Sequence, residues 1–170
     1  LAKGIQRNAK AEALVRGLDR CFTVARACGW PEKAVIFTEF RRTQDHLAVL
    51  LRSQGYLVTC LSGDVSGTER RAALVEEFRG RSQILLMTEA GAEGLNLQFC
   101  NLVVNYDLPW NPQRVEQRIG RCHRYGQKHD VVVLNFVDRS NEADARVYEL
   151  LEQKFKLFEG VFGASDDILG

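Results

Sequence analysis

The chain has 170 residues, enough for one domain with its own hydrophobic core on the usual span of roughly 100–200 residues. Its 45% hydrophobic and 26% charged residues exclude the disordered, collagen-like and membrane-spanning classes, and no stretch approaches the roughly 18 consecutive apolar residues of a membrane helix. With 23 Lys+Arg against 22 Asp+Glu the net charge is +1, which carries no global mark of a polyanion binder. Leu1 is not followed by a charged-then-apolar leader, so no export signal is expected, and a chain that does not begin with Met reads as an excised piece. Cys21, Cys28, Cys60, Cys100 and Cys122 form no CxxC pair and read as reduced, mostly buried thiols of an intracellular protein. Cys122, His123 and His129 come nearest to a metal-ligand cluster, but adjacent side chains diverge, so no metal site is expected.

In chain order, Leu14, Leu18, Cys21, Phe22, Ala25 and Cys28 form the apolar stripe of a helix closed by Gly29 and Pro31. A strand over Ala34–Thr38 follows, then a helix marked by Leu47, Leu50 and Leu51 and closed near Gly55. After a strand over Tyr56–Leu61, Ser66 and Glu69 predict a capping box opening a helix that buries Leu74, Val75 and Phe78 and stops at Gly80. Strands over Ile84–Thr88 and Leu102–Tyr106 precede a helix capped by Asn111 with Pro112 at its first position. A strand over Val131–Val137 leads to a last helix, about Asn141 to Glu159, burying Ala143, Val147, Leu150, Leu151 and Phe158. The strands are nearly continuous apolar runs, as strands covered on both faces are. Alternating with helices, they predict an α/β doubly wound domain with a mostly parallel sheet. Residues 1–30 read as a helical lead-in, 31–160 as the domain with its sheet in 31–137, and 161–170 as a tail towards a missing segment.

The densest polar signal is NPQRVEQRIGRCHRYGQK (111–128), with Arg114, Arg118, Arg121, Arg124 and Lys128 against the single carboxylate Glu116. If the helix continues, Gln117, Arg121 and Arg124 fall at i, i+4 and i+7 on one face, and guanidinium forks sharing a face suit a polyanion such as a triphosphate. Gly120 and Gly126 interrupt this run, each costing a helix ~1 kcal/mol relative to Ala, which makes sense where a ligand or backbone approaches closely. A second signal is TEAGAEGLNL (88–97), where a strand-end Thr followed by Gly91 and Gly94 can offer a hydroxyl and bare amides to phosphate. No GxxxxGK[ST] loop and no strand-end Asp-Glu pair accompany them.

These residues make the chain resemble the second RecA-like lobe of superfamily-two helicase-type motors, and among them the Swi/Snf-like chromatin-remodelling ATPases. KAVIFTEFRRTQDHLAVLL (33–51) resembles motif IV. LSGDVSGTERRAALVEEF (61–78) resembles the next strand and helix, with Gly63 and Arg70 at characteristic positions. TEAGAEGLNLQ (88–98) resembles motif V, and YDLPWNPQRVEQRIGRCHRYGQ (106–127) resembles the WNP turn and motif VI. LPWNP and HRYGQ favour the remodelling type, and the blend is most similar to bacterial members, including the RNA-polymerase-recycling ATPase. Gly120 before Arg121 departs from the usual Asp and is similar to DEAD-box RNA helicases.

The resemblance implies that ATP and Mg are held mainly by a first lobe outside this chain. Arg121 and Arg124 would be arginine fingers, worth about 10³–10⁵ in rate, with Gln117 orienting the site. Gly94 and Asn96 would sit beside the nucleotide. Thr38, Arg41, Gly63 and Thr88 would line a track for a nucleic-acid backbone, expected to be double-stranded DNA gripped without sequence reading. Implied partners are the first RecA-like lobe and a nucleoprotein or RNA polymerase complex, with no membrane. The implied location is cytoplasmic and nucleoid-associated in a prokaryote, or nuclear in a eukaryote. The rival readings are the equivalent lobe of an RNA helicase and a non-catalytic RecA-like interaction module. Plainer expectations are a solvated His46, a His123 that orients Arg124 or is simply a polar helix residue, and a Trp110 that plugs the packing, favoured over a base-stacking platform. Asp138, Glu142 and Asp144 are expected to favour the dipole of the last helix.

Overall fold

The computed structural model describes residues 2–92, 94–137 and 141–156. Strands β1 (Ala34–Thr38), β2 (Val58–Leu61), β3 (Ile84–Thr88), β4 (Leu102–Asn105) and β5 (Val132–Asn135) form one parallel sheet in the order β2-β3-β1-β4-β5. Helices α1 (Ala2–Cys28), α2 (Arg41–Ser53), α3 (Thr68–Gly80), α4 (Pro112–Cys122) and α5 (Glu142–Lys156) flank it, and a single 3-10 turn, Glu89–Gly91, follows β3. The expected doubly wound architecture is therefore the observed one.

The alternation of strand side chains assigns the layers. In β1, Ala34 and Ile36 join Leu14, Leu18 and Phe22 of α1 and Leu47 and Leu51 of α2 on one face. Val35 and Phe37 join Val75 and Phe78 of α3 and Cys122 of α4 on the other. The step from β1 to β2 and the return to β3 run in opposite directions across the sheet, so right-handed crossovers put α2 and α3 on opposite faces. A third cluster packs Val147 and Leu151 of α5 against Val115 and Ile119 of α4. Among the described residues, no helix is long and apolar enough to cross a membrane.

Helix ends follow local chemistry. Gly29 and Gly55 adopt positive φ, and the amides after them (Trp30 to Ala25 O, Tyr56 to Leu51 O) close Schellman motifs on α1 and α2. Tyr56 is thus spent on the helix end, and β2 begins at Val58 rather than Tyr56. Asn111 Oδ1 accepts from the Gln113 amide at 2.9 Å and caps α4, and Asn141 caps α5 through the Ala143 amide at 3.0 Å. The capping box on α3 does not form: the cap position falls to Gly67, at φ +90°, which has no side chain to offer. β4 and β5 are shorter than expected, ending at Asn105 and Asn135, whose side chains bond each other at 2.8 Å. On α5, Ala143 and Leu150 are exposed rather than buried, because only the Val147 and Leu151 stripe meets α4. Asp138, Phe158 and the 161–170 tail lie outside the described residues.

Candidate functional site

α4 carries the arginine-rich segment along the sheet face that also holds α3. Its inward stripe is Val115, Arg118, Ile119 and Cys122, which leaves Gln117 exposed and Arg121 half-buried. The helix ends at Cys122, so Arg124 does not share a helical face with Gln117 and Arg121 as the spacing predicted. It opens a turn instead, in which the Gln127 amide donates to Arg124 O at 2.9 Å and Gly126 takes φ +101°. That φ is a left-handed conformation that favours glycine. Among the described residues, no hydrogen bond or ion pair engages the guanidinium of Arg121 or Arg124.

The segment after β3 runs beside this helix end. Gly94 has φ +73°, Asn96 Oδ1 accepts from the Gln98 amide at 3.3 Å, and the Leu97 amide donates to Arg121 O at 2.9 Å. The Gln98 side chain lies against Gly126, so close that a Cβ there would stand 3.7 Å from it. Gly94, Asn96, Arg121 and Arg124 thus belong to two segments held together by one backbone bond and one side-chain contact. Among the described residues, a methyl at Gly120 would meet nothing within 4 Å, so no close-packed neighbour fills the space beside it.

The other four candidate residues lie at the carboxyl ends of the strands. Thr38 and Thr88 are register partners on β1 and β3, and both are buried. The Thr38 hydroxyl donates to Asp107 Oδ2 at 2.5 Å, and the Glu39 amide bonds the same oxygen at 3.2 Å. Lys10 reaches Asp107 Oδ1 at 3.5 Å. Gly63 is close-packed, since a Cβ there would fall 2.6 Å from Ala90 Cβ. Arg41 is exposed and held by its own chain, with Asp45 at 3.2 Å and Asp64 and the Ser62 hydroxyl each at 2.7 Å. Hydrogen bonds from Arg41 and then Ser62 pull the Asp64 carboxyl down to about 2. Burial, and then the neighbouring Asp107, raise Glu39 above its ordinary value.

Sequence reasoning missed three residues here. Arg118, counted there as part of a basic patch, is only 1% exposed. Its guanidinium bonds Glu89 Oε2 at 2.5 and 3.0 Å, Asn105 Oδ1 at 2.9 Å and Asp107 O at 3.0 Å, and lies 5.0 Å from the Phe37 ring centre. The i, i+3, i+4, i+7 spacing of Val115, Arg118, Ile119 and Cys122 was the signal that would have found it. Gln44, buried on α2, donates to Leu61 O at 3.2 Å and Leu86 O at 2.9 Å, joining the end of β2 to the middle of β3. Gln127 bonds Cys100 O and Cys122 O from its amide nitrogen. In the opposite sense, Trp110 is 76% exposed and plugs nothing, because Leu108, not Trp110, enters the α4–α5 cluster. His46 is exposed, as expected.

All five cysteines are free thiols. Cys100 and Cys122 are buried, Cys28 is exposed, and the Cys100 thiol together with burial pushes Cys122 well above its ordinary value. Among the described residues, no group of three or more His, Cys, Asp or Glu could hold a metal ion.

Comparison with known proteins agrees with this fold. Residues 13–126 match the family model described as the helicase conserved C-terminal domain. The chain is 46% identical over 138 residues to an uncharacterized ATP-dependent helicase, YqhH, of Bacillus subtilis, covering 81% of this chain and 24% of that protein. It is 38% identical over 123 residues to the ATP-dependent RNA helicase fal1 of Schizosaccharomyces pombe, covering 72% of this chain and 30% of that protein. The chain thus spans about a quarter to a third of the length of these curated relatives. Among solved structures, the C-terminal part of the Fun30 ATPase domain superimposes with a TM-score of 0.63 at 25% identity, covering 70% of this chain and 39% of that one. The S. cerevisiae Dbp5 C-terminal domain, in a structure with Gle1 and IP6, superimposes with a TM-score of 0.66 at 25% identity, covering 88% and 80%. The parallel sheet, together with a family match over residues 13–126, places the chain in the helicase conserved C-terminal domain family of superfamily-two helicases.

Proposed function

We propose that the chain is the second motor lobe of an ATP-driven translocase of the Swi/Snf-like type acting on double-stranded DNA. The observation that carries this reading is the pair Arg121 and Arg124, whose guanidinium groups have no partner among the described residues and whose segment is tied, through Arg121 O and the Leu97 amide, to the one that carries Gly94 and Asn96. Cations left unneutralised at a shared surface suit an anionic ligand that this chain does not itself hold. Bound ATP would supply the phosphoryl bond whose cleavage drives motion. Arg121 and Arg124 would neutralise the charge developing on its oxygens, with Gln117, on α4 like Arg121, helping to orient the site. Mg ligation would fall to the preceding lobe; among the described residues of this one, no carboxylate cluster suits a metal. Arg41 and the exposed backbone at Gly63 would meet the nucleic-acid backbone, with Thr38 and Thr88 supporting that surface from beneath. Such a motor would work in the cytoplasm and on the nucleoid of a bacterium.

The test is Arg121→Ala and Arg124→Ala in the full-length protein. Each is expected to lower ATP turnover by about 10³-fold or more while sparing ATP binding. Near-normal turnover in both variants would overturn the reading. LPWNP and HRYGQ support a DNA-directed motor of the remodelling type. Gly120 and the likeness to the RNA helicase fal1 support a second reading, an RNA-remodelling lobe. Stimulation of the full-length ATPase by duplex DNA, and not by single-stranded RNA, is the outcome expected of the first; the reverse supports the second.

A further inference from the structure

The last carbonyls of a helix have no partner inside it and must find one elsewhere. α1 and α2 close on glycine, but α4 does not: His123, at its C-cap, has φ −85° and ψ 89°. Two groups from outside the helix serve its end instead. The Leu97 amide takes Arg121 O at 2.9 Å, and Gln127 Nε2 takes Cys122 O at 3.2 Å.

Gln127 does more than cap. Its Nε2 also donates to Cys100 O at 3.1 Å, beside the start of β4, while its Oε1 accepts from the amides of Lys128 at 2.9 Å and His129 at 3.1 Å. Two carbonyls on one side of the amide and two N–H groups on the other fix its orientation and use every bond it can make. Its own backbone amide closes the turn to Arg124 O at 2.9 Å. One side chain therefore ties together the end of α4, the entry to β4 and the chain beyond the turn, and Arg124 is one of the four residues held between Cys122 and Gln127.

We infer that Gln127 is a positioning residue for the arginine pair, holding the Arg124 turn and the end of α4 in the geometry that nucleotide hydrolysis requires. This rests on the reading of Arg124 as a group acting on ATP. Gln127 acts only through the backbone, so its loss misplaces Arg124 without removing its charge. A displacement of about 1 Å in a catalytic group can cost up to about 100-fold in rate.

The experiment is steady-state ATPase kinetics of the full-length protein carrying Gln127→Ala, Gln127→Glu or Arg124→Ala, measured well below each variant's thermal midpoint. Gln127→Ala is expected to lower kcat by about 10–100-fold with KM for ATP changed less than about twofold, the pattern of an interaction lost only in the transition state. Gln127→Glu keeps the volume and the two accepting bonds but cannot donate to Cys100 O and Cys122 O, and it is expected to lose kcat in the same way. If the alanine variant does not fold, the glutamate variant decides the matter. Wild-type kcat in the Gln127 variants, with Arg124→Ala inactive, would overturn the positioning role. An active Arg124→Ala would instead overturn the reading on which it rests.

Discussion

Arg118 Nη2 lies 2.5 Å from Glu89 Oε2, and this pair joins α4 to the turn that follows β3. The arginine is buried while the glutamate remains 30% exposed, so the cation bears most of the desolvation and depends on its acceptors. Those acceptors come from three places in the chain: Glu89, Asn105 and the Asp107 carbonyl. Removing the guanidinium leaves all three without it. Arg118→Ala is expected to destabilise this chain by about 3–5 kcal/mol, read from the urea unfolding midpoint. Arg118→Lys should fall between the two, since an ammonium keeps the charge but not the planar fork. An alanine variant unfolding at the wild-type urea concentration would show the pair to be incidental.

Asp64 titrates at about 2 because Arg41 and Ser62 bond its carboxylate. Its folded value lies below the ordinary aspartate value of about 3.9. The stability it contributes is therefore fully present above about pH 4 and is lost as pH falls through about 2. Arg41→Ala should return the Asp64 midpoint towards the ordinary value, as followed by NMR of the side-chain carboxyl. Stability curves of the two proteins should differ above about pH 4 and converge below about pH 2. An unchanged Asp64 midpoint in the variant would remove Arg41 as the cause.

The sheet was legible because β1, β3 and β4 are covered on both faces and so read as unbroken apolar runs. Most helix ends were legible for the same local reason: Gly29, Gly55 and Asn111 each meet a backbone requirement that few residues can meet. The site was less so. A single charged residue within an apolar stripe, as at Arg118, looks like one more surface charge until its acceptors from β3 and β4 are brought to it. Arg124 was misplaced onto α4 because nothing local marks Cys122 as the last helical residue; the bonds that end the helix come from Leu97 and Gln127. Trp110, just before the Asn-Pro cap, was read as a plug, yet the tertiary fold gave that task to Leu108.

Gly120 sits inside α4 with ordinary helical backbone, and an added Cβ would meet nothing within 4 Å. On helix propensity alone, Gly120→Ala should stabilise this chain by about 0.5–1 kcal/mol, seen as a higher thermal midpoint. Gly91→Ala should do the opposite, because its Cβ would fall 2.6 Å from the Leu61 carbonyl oxygen and the backbone would have to move. Gly120 precedes Arg121, however, one of the arginines proposed to meet the nucleotide. A methyl group there is expected to lower ATP turnover in the full-length protein while raising the stability of this lobe. That opposition separates glycine kept for close approach from glycine left by chance: a stabilised variant with full turnover would mean that the space beside Gly120 holds only water.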